Sequence, residues 1–156
     1  MISATAFHCI NSEIGYPKVH KLLKANGSIA VFWNMASVTH HNNYAFEKVR
    51  EVYREYAPEL GDGKTKEELE QIHELRLKEL LGQGLFTELV YKSYVKEVEY
   101  TPEKYVQLLN TYSNHRMLSE EKRTIFFEKI KETIYNSGGK IIIPNETKLY
   151  FAKKIV

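Results

Sequence analysis

An unbroken apolar run near the amino terminus constrains the fold of this chain more than any other feature. The segment Ser28-Ile29-Ala30-Val31-Phe32-Trp33 has no polar residue after its first position, which is typical of a strand covered by helices on both faces. It follows an amphipathic stretch at 13–24, and a shorter strand-like stretch at 2–6 precedes that helix. Strand, helix and strand in this order predict a βαβ unit with parallel pairing.

Two helices are predicted to interrupt the strands that follow. Apolar residues recur at helical spacing over 44–56, and a capping box at Thr65 and Glu68 opens a second helix that ends before Gly82. We therefore expect residues 38–84 to form a helical insertion beside the end of the second strand, where it could cover a ligand crevice.

Two long strands are predicted in the remaining sequence. Residues 86–100 interleave β-branched and aromatic side chains with charges, and residues 140–155 contain two apolar stretches around Pro144. Because proline has no N–H to give to a ladder, we expect a bulge or bend there. Helices are predicted from Thr101-Pro102 to about Leu109 and again after Ser119. The whole chain, 1–156, is expected to form one α/β domain.

Composition limits the classes of function. A chain of 156 residues with 43% hydrophobic content can bury one core. Its 22 basic and 20 acidic residues are scattered, so no nucleic-acid-binding stripe stands out. Cys9 is the single cysteine, which suits a reducing compartment, and no apolar run approaches a membrane span. We expect a cytoplasmic, soluble protein with neither nucleic acid nor membrane as a partner.

Four stretches of the sequence resemble the class I S-adenosylmethionine-dependent methyltransferases that act on small molecules. They read SATAFHCI, GYPKVHKLLKANGSIAVFWN, TYSNHRMLSEEKR and TKLYFAKKI. The resemblance implies the C-terminal half of a doubly wound, seven-stranded sheet. In that family the seventh strand is antiparallel and lies between the fifth and the sixth. On this template residues 2–6, 28–33, 86–100 and 140–155 are strands four, five, six and seven.

The chain departs from that family at the cofactor-binding half. The family's Gly-x-Gly-x-Gly turn after the first strand is absent, as is the acidic residue after the second strand that holds the ribose hydroxyls. Because the ligand crevice of such sheets lies beside the first and fourth strands, we expect half of it to be missing. S-adenosylmethionine is then the cofactor of the intact parent, and this chain alone is expected to bind it poorly or not at all and to be inactive.

The resemblance also suggests which residues line the site. It implies that Ser3, Ala4, Ala6 and Phe7 line the cofactor at the tip of the opening strand. His8 follows them, and as an imidazole it can act as a catalytic base or orient the acceptor. The alternative is that His8 is a polar lining residue bonded to a neighbouring loop.

The acceptor pocket is expected to contain His8, Trp33, Asn34, Tyr112 and His115. Trp33 and Asn34 end the fifth strand, and an indole wall with an amide donor suits a small ligand. They fit equally well as a core aromatic and a strand-end cap. Tyr112 and His115 lie between helices in a segment that resembles the family's pocket mouth, and a structural role is the alternative for both.

Other reactive side chains point to no site. His40, His41 and His73 lack a cysteine or carboxylate cluster at ligand spacing, so we predict no metal site and place them in a loop and on a helix surface. Cys9 is expected to be a small buried side chain rather than a nucleophile.

Two functions from different classes remain open at this stage. The first is methyl transfer to a small acceptor by the intact parent. The second is a non-catalytic module that binds another copy through the unpaired edge of its opening strand or through the helical insertion.

Overall fold

The structure, a computed structural model, describes residues 1–36, 44–61 and 65–156. These residues form a mixed α/β fold with a four-stranded sheet, as the sequence predicts. The strands are β1 (Ile2–Ala4), β2 (Ser28–Ala36), β3 (Phe86–Tyr100) and β4 (Ile141–Lys154). The helices are α1 (Ser12–Leu22), α2 (Tyr44–Tyr56), α3 (Lys66–Leu81), α4 (Pro102–Leu109), α5 (Ser113–Arg116) and α6 (Glu120–Asn136). Short 3₁₀ turns lie at Phe7–Cys9 and Pro58–Leu60.

The sheet has the strand order β1-β2-β4-β3. β1 pairs with β2 in parallel, with Ser3 opposite Val31. β4 pairs with β2 in the antiparallel sense over nine residues, from Ser28 opposite Lys153 to Ala36 opposite Asn145. The last strand of the sequence is thus inserted between the second and the third, and the parallel β1-α1-β2 unit is confirmed.

β4 runs through Pro144 as one strand, Ile141–Lys154. The bulge or bend expected at the proline stays a prediction. The ladder with β2 begins only at Asn145. The missing N–H of Pro144 therefore costs the β2–β4 ladder no hydrogen bond.

α1 ends at Leu22, two residues before the predicted end at 24, the other predicted helices are close to their expected bounds, and one helix was not predicted. α2 and α4 match the predicted ranges, and α6 follows its Ser119 cap. α3 starts after Thr65, whose side chain accepts from the Glu68 N–H at 3.2 Å while Glu68 bonds back to the Thr65 N–H at 2.7 Å, so the capping box is confirmed. The four-residue helix α5 lies between α4 and α6, and no sequence pattern predicted it.

The chain forms two compact units, of which the first carries β1 and β2. Unit 1 comprises Met1–Ala36, Thr65–Lys96 and Asn145–Val156. In β2, Ile29, Val31 and Trp33 are at most 4% exposed and share one face of the sheet. α1 and α3 contribute side chains to the same core. Its buried members are Phe7, Tyr16, Val19, Ile29, Val31, Trp33, Leu80, Phe86, Tyr150 and Ala152.

Unit 2 is mainly helical and has its own core. It comprises residues 44–61 together with Glu97–Pro144. The inward residues predicted for α6, namely Phe126, Phe127, Ile130 and Ile134, are all buried there. α2, α4 and the first residues of β4 complete this core. Residues of β3 and β4 belong to both units, and the assignment of 1–156 to one domain stays a prediction.

In the described ranges, no helix has both the length and the apolar character that a membrane crossing requires.

Candidate functional site

The tip of β1 holds an unusual backbone conformation. Thr5 has φ 49°, in the left-handed region that β-branched residues seldom adopt. Its N–H donates to the Phe32 carbonyl at 2.8 Å, which ties the end of β1 to β2. Such strain persists only where the surroundings enforce it, and it is common at functional sites. The chain then turns into the 3₁₀ segment that presents His8.

The residues predicted to line the cofactor have different surroundings. Phe7 is 5% exposed, and its ring packs against Tyr16 with centroids 4.7 Å apart, so it is a core residue of unit 1. Ser3 is half-buried, while Ala4 and Ala6 are exposed. Their role as cofactor contacts stays a prediction.

His8 and Trp33 are brought together by a direct hydrogen bond. The indole Nε1–H of Trp33 donates to His8 Nδ1 at 3.0 Å. Since an indole nitrogen can only donate, the neutral imidazole must hold its own proton on Nε2. His8 is exposed, so this arrangement presents an N–H donor to solvent, and a base role at Nδ1 would require the Trp33 bond to break.

Arg76, from α3, lies over the same indole. Its guanidinium carbon is 3.8 Å from the centre of the Trp33 ring, which is a cation–π geometry. The Tyr150 ring meets the indole edge-on with centroids 5.8 Å apart. Trp33, only 4% exposed, is thus enclosed by a cation, an imidazole and a phenol.

A histidine and two tyrosines continue the cluster. His73 Nδ1 and the Tyr150 hydroxyl share a hydrogen bond of 2.7 Å, and the ring centres of His73 and Tyr91 are 4.4 Å apart. Burial lowers the pKa of His73, and the charges of Lys148 and Arg76 act in the same direction. Burial raises the pKa of Tyr150, opposed by Arg76. Both side chains are therefore neutral near neutral pH.

An ion pair borders this cluster on β4. Lys148 lies directly opposite Trp33 in the ladder, and its Nζ is 3.8 Å from Glu146 Oε1. Both side chains are largely covered, at 14% and 17% exposed. The Ser93 hydroxyl also donates to Glu146 at 2.6 Å. The charges of Lys148 and Glu146 are thus largely satisfied by each other.

Asn34 faces away from these groups. Because successive side chains of a strand point to opposite faces, Asn34 lies on the other side of the sheet from Trp33. There its Oδ1 accepts from the Thr147 hydroxyl at 2.6 Å. Trp33 and Asn34 therefore line the same pocket only if that pocket reaches around the end of β2.

Tyr112 and His115 belong to unit 2. His115 is 4% exposed, and both ring nitrogens are engaged: Nε2 lies 2.7 Å from the Tyr53 hydroxyl and Nδ1 lies 2.9 Å from Asn114 Oδ1. Tyr112 is 44% exposed, and its ring lies against His115. These bonds explain the burial of His115 structurally, and the pocket role of both residues stays a prediction.

The protonation of His115 should make unit 2 less stable in acid. Burial lowers the pKa of His115 below its usual value. The unfolded chain then binds the proton more readily, so the stabilisation is complete above about pH 6.5 and is lost as the pH falls below that value. Urea unfolding should show lower stability at about pH 5 than at about pH 8.

The matched variant is His115→Gln, which keeps donor and acceptor groups but cannot titrate. We expect a smaller difference between the two pH values, with a remainder from His73, whose pKa is also lowered. An unchanged difference in this variant would contradict the assignment to His115.

The other reactive side chains have mixed outcomes. Cys9 is exposed rather than buried, so that expectation was wrong. His40 and His41 lie outside the described residues. Within residues 1–36, 44–61 and 65–156, no three His, Cys, Asp or Glu side chains are grouped so that they could hold a metal ion.

Sequence reasoning did not single out Arg76, Tyr150 or Lys148. A signal for Arg76 was nevertheless present, because positions 69, 73, 76 and 80 share one helical face. Leu69 and Leu80 on that face are buried. His73 and Arg76 lie between these leucines on the same face, so the pattern indicates two polar side chains that face the core.

Comparison with known proteins finds likeness only at the level of structure. No protein-family model and no curated protein sequence matches the chain. Solved structures with a similar fold include one from Bacillus halodurans C-125, provisionally assigned as a methyltransferase, at 17% identity and a TM-score of 0.43. A second, from Galdieria sulphuraria, provisionally assigned as a sarcosine dimethylglycine methyltransferase, has 14% identity and a TM-score of 0.37. A third, phosphoethanolamine N-methyltransferase 2 of Haemonchus contortus with phosphomonomethylethanolamine and S-adenosylhomocysteine, has 12% identity and a TM-score of 0.33.

These alignments cover most of this chain but only part of the other proteins. They include 99%, 98% and 99% of this chain, and 68%, 52% and 33% of the three structures in the same order. At such identities and TM-scores the likeness concerns the fold, and activity, cofactor and substrate are separate questions.

Proposed function

We propose that this chain is the acceptor-side half of an S-adenosylmethionine-dependent methyltransferase that acts on a small molecule. The observation that carries the proposal is the strand order β1-β2-β4-β3, with β1 and β2 parallel and β4 antiparallel to β2. Strands four, five, seven and six of the family have this order. A late strand inserted in reverse between two earlier ones is an uncommon connection, so it supports the resemblance seen in the sequence.

The location of His8 supports this proposal. Ligands of doubly wound sheets bind beyond the carboxyl ends of the parallel strands, and His8 follows the end of β1. Trp33 does not end its strand as expected, because β2 continues to Ala36. Methyl transfer is an in-line displacement that depends on alignment and exclusion of water. The Nε2–H of His8 orients the acceptor, and the covered indole of Trp33 provides a dry wall.

The residues present fit only one side of the cofactor. The small side chains of Ser3, Ala4 and Ala6 would allow a flat ligand to approach the tip of β1, and S-adenosylmethionine, when bound, supplies the methyl group. Residues 1–10 contain no carboxylate for the ribose hydroxyls, and the 156 residues contain no Gly-x-Gly-x-Gly turn. We therefore propose that the chain alone has an incomplete cofactor site and is inactive.

Isothermal titration calorimetry of the purified chain with S-adenosylhomocysteine and S-adenosylmethionine tests this proposal. We expect no binding tighter than about 1 mM, because one wall of the site contributes only part of the contacts. A micromolar Kd would show that the cofactor site is complete. An upstream coding sequence with an apolar strand followed by an acidic residue and a Gly-x-Gly-x-Gly turn would identify the other half.

The alternative function is a non-catalytic, self-associating module in the cytoplasm. Exposed apolar side chains on β1 and around α1 favour it, because exposed apolar surface is available for contact with a second copy. They are Ile2 at 76%, Ile10 at 50%, Ile14 at 64% and Leu22 at 73% exposed. β1 is also an edge strand of the described sheet, so its outer edge can pair with a second copy.

Light scattering separates this alternative from a monomeric half-domain. Self-association predicts a mass above the 18.2 kDa of one chain, reduced by Ile14→Lys. Ile125→Lys, at a residue of α6 that is 48% exposed, is the matched control and should not change the mass. A monomer at every concentration would rule the alternative out, and a mass lowered only by changes within 38–84 would place the contact on the helical insertion.

A further inference from the structure

Arg76 is placed in a way that the fold alone does not explain. It lies on the core-facing stripe of α3, over the indole of Trp33. The guanidinium donates a hydrogen bond to Tyr150, but its Nη1 atom is enclosed and has no hydrogen-bond partner among the described residues. A buried donor without an acceptor lowers the stability of the fold, and the cost is larger when the donor is charged. A bound acceptor would offset this cost.

In the described part of the chain, no Asp or Glu oxygen lies within ion-pair distance of the Arg76 guanidinium. Glu146, the acidic group of the cluster, is occupied by Lys148 and Ser93. His73 and Tyr150 are neutral, and the carboxylates of Glu74 and Glu79 on the same helix act on His73 and Tyr16 without an ion pair to Arg76 among the described residues.

Arg76 and His8 contact different parts of the Trp33 indole. Arg76 lies on the face of the ring, and His8 accepts from the Nε1–H at its edge. Because Nδ1 of His8 faces the indole, its Nε2–H points away from Trp33. Arg76 is therefore the cationic donor that lies directly against this ring.

We propose that Arg76 binds an oxyanion, a carboxylate or a phosphate group, that belongs to the methyl acceptor. The planar guanidinium matches either anion with two parallel N–H donors. Because Nη1 is enclosed, the anion reaches it only if the guanidinium turns over the indole. The site itself depends only on unit 1, whereas the assignment of the anion to the acceptor rests on the function proposed above.

Fluorescence of Trp33 can report this binding without any methyl-transfer assay. Trp33 is the only tryptophan of the chain, so a change in the Arg76 stack alters a single emission signal. The full chain is titrated with inorganic phosphate, acetate and neutral acetamide while sodium chloride holds the ionic strength constant. We expect a saturable change with phosphate or acetate and none with acetamide, and the tighter of the two anions identifies the group that the acceptor carries.

Variants of Arg76 assign the effect to this side chain. Arg76→Gln should weaken anion binding by about tenfold or more, because it removes a charged hydrogen-bond donor. Arg76→Lys retains the charge without the planar fork and should weaken binding by a smaller factor. Arg123→Gln, at a half-buried arginine of unit 2, is the matched control and should bind as the wild type does.

The outcomes separate this inference from the proposed function. Urea unfolding first shows which variants are folded, and Arg76→Lys decides the question if Arg76→Gln is not. Equal responses to acetamide, a response that tracks chloride alone, or full anion binding by a folded Arg76 variant would each overturn the inference. None of these results bears on the calorimetry with S-adenosylhomocysteine, which tests the methyltransferase assignment separately.

Discussion

Replacement of Phe126 by alanine should lower the free energy of unfolding of unit 2 by about 3–5 kcal/mol. The ring is 0% exposed and packs edge-on against Tyr53, with centroids 4.9 Å apart. It also lies against Phe127 and the His115 imidazole. Because these partners come from α2, α5 and α6, the cavity left by alanine cannot close through the movement of one side chain, and its lining loses contacts.

The neighbouring residue of the same helix provides the control for this prediction. Ile125 is 48% exposed, so Ile125→Ala removes little buried surface and should cost less than about 1 kcal/mol. Both variants are measured by urea unfolding followed by far-UV circular dichroism. Equal losses for Phe126→Ala and Ile125→Ala would show that α6 is not packed as described.

Replacement of Trp33 by alanine should destabilise unit 1 by a similar amount, about 3–5 kcal/mol. The indole lies in the core of that unit, is 4% exposed and contacts three neighbouring side chains. Its loss removes the cation–π contact with Arg76, the hydrogen bond to His8 and the edge-on contact with Tyr150. Arg76 then loses its stacking partner while its Nη1 still has no acceptor.

Trp33→Phe separates the contribution of the ring from that of the N–H group. Phenylalanine keeps an aromatic plate below Arg76 but cannot donate to His8, so we expect a loss of about 1–2 kcal/mol. Because the tryptophan is absent, both variants are followed by circular dichroism. If Trp33→Ala cost no more than Trp33→Phe, the buried area of the indole would not be what stabilises this region.

These two residues differ in how well the sequence predicted them. Phe126 was expected to face inward because Phe126, Phe127, Ile130 and Ile134 repeat at helical spacing, and all of them are buried. Trp33 was expected either to wall a pocket or to fill the core. The structure shows it buried and at the same time bonded to His8. The local sequence pattern therefore predicts that a side chain is buried, but it does not predict which residues that side chain contacts.

The same distinction holds for the cluster around Arg76. Spacing predicted α3 and its Thr65 cap, but His73 was assigned to the helix surface. Instead His73 is half-buried and bonds to Tyr150, which is 77 positions away in the sequence. No local pattern joins positions on α3 to positions on β4, since their proximity depends on how the helix is laid on the sheet.

The sequence by itself determined the elements of this protein and their order, because hydrophobic period, caps and breakers act within a few residues of one another. It also indicated the reversed, inserted last strand, through resemblance rather than through local physics. Only the tertiary structure decided that His8 presents a donor, that Asn34 faces away from Trp33, and that Arg76 has no anionic partner among the described residues. Each of these depends on contacts between residues that are far apart in the sequence. Such contacts are determined by the packing of the elements and by the strand register.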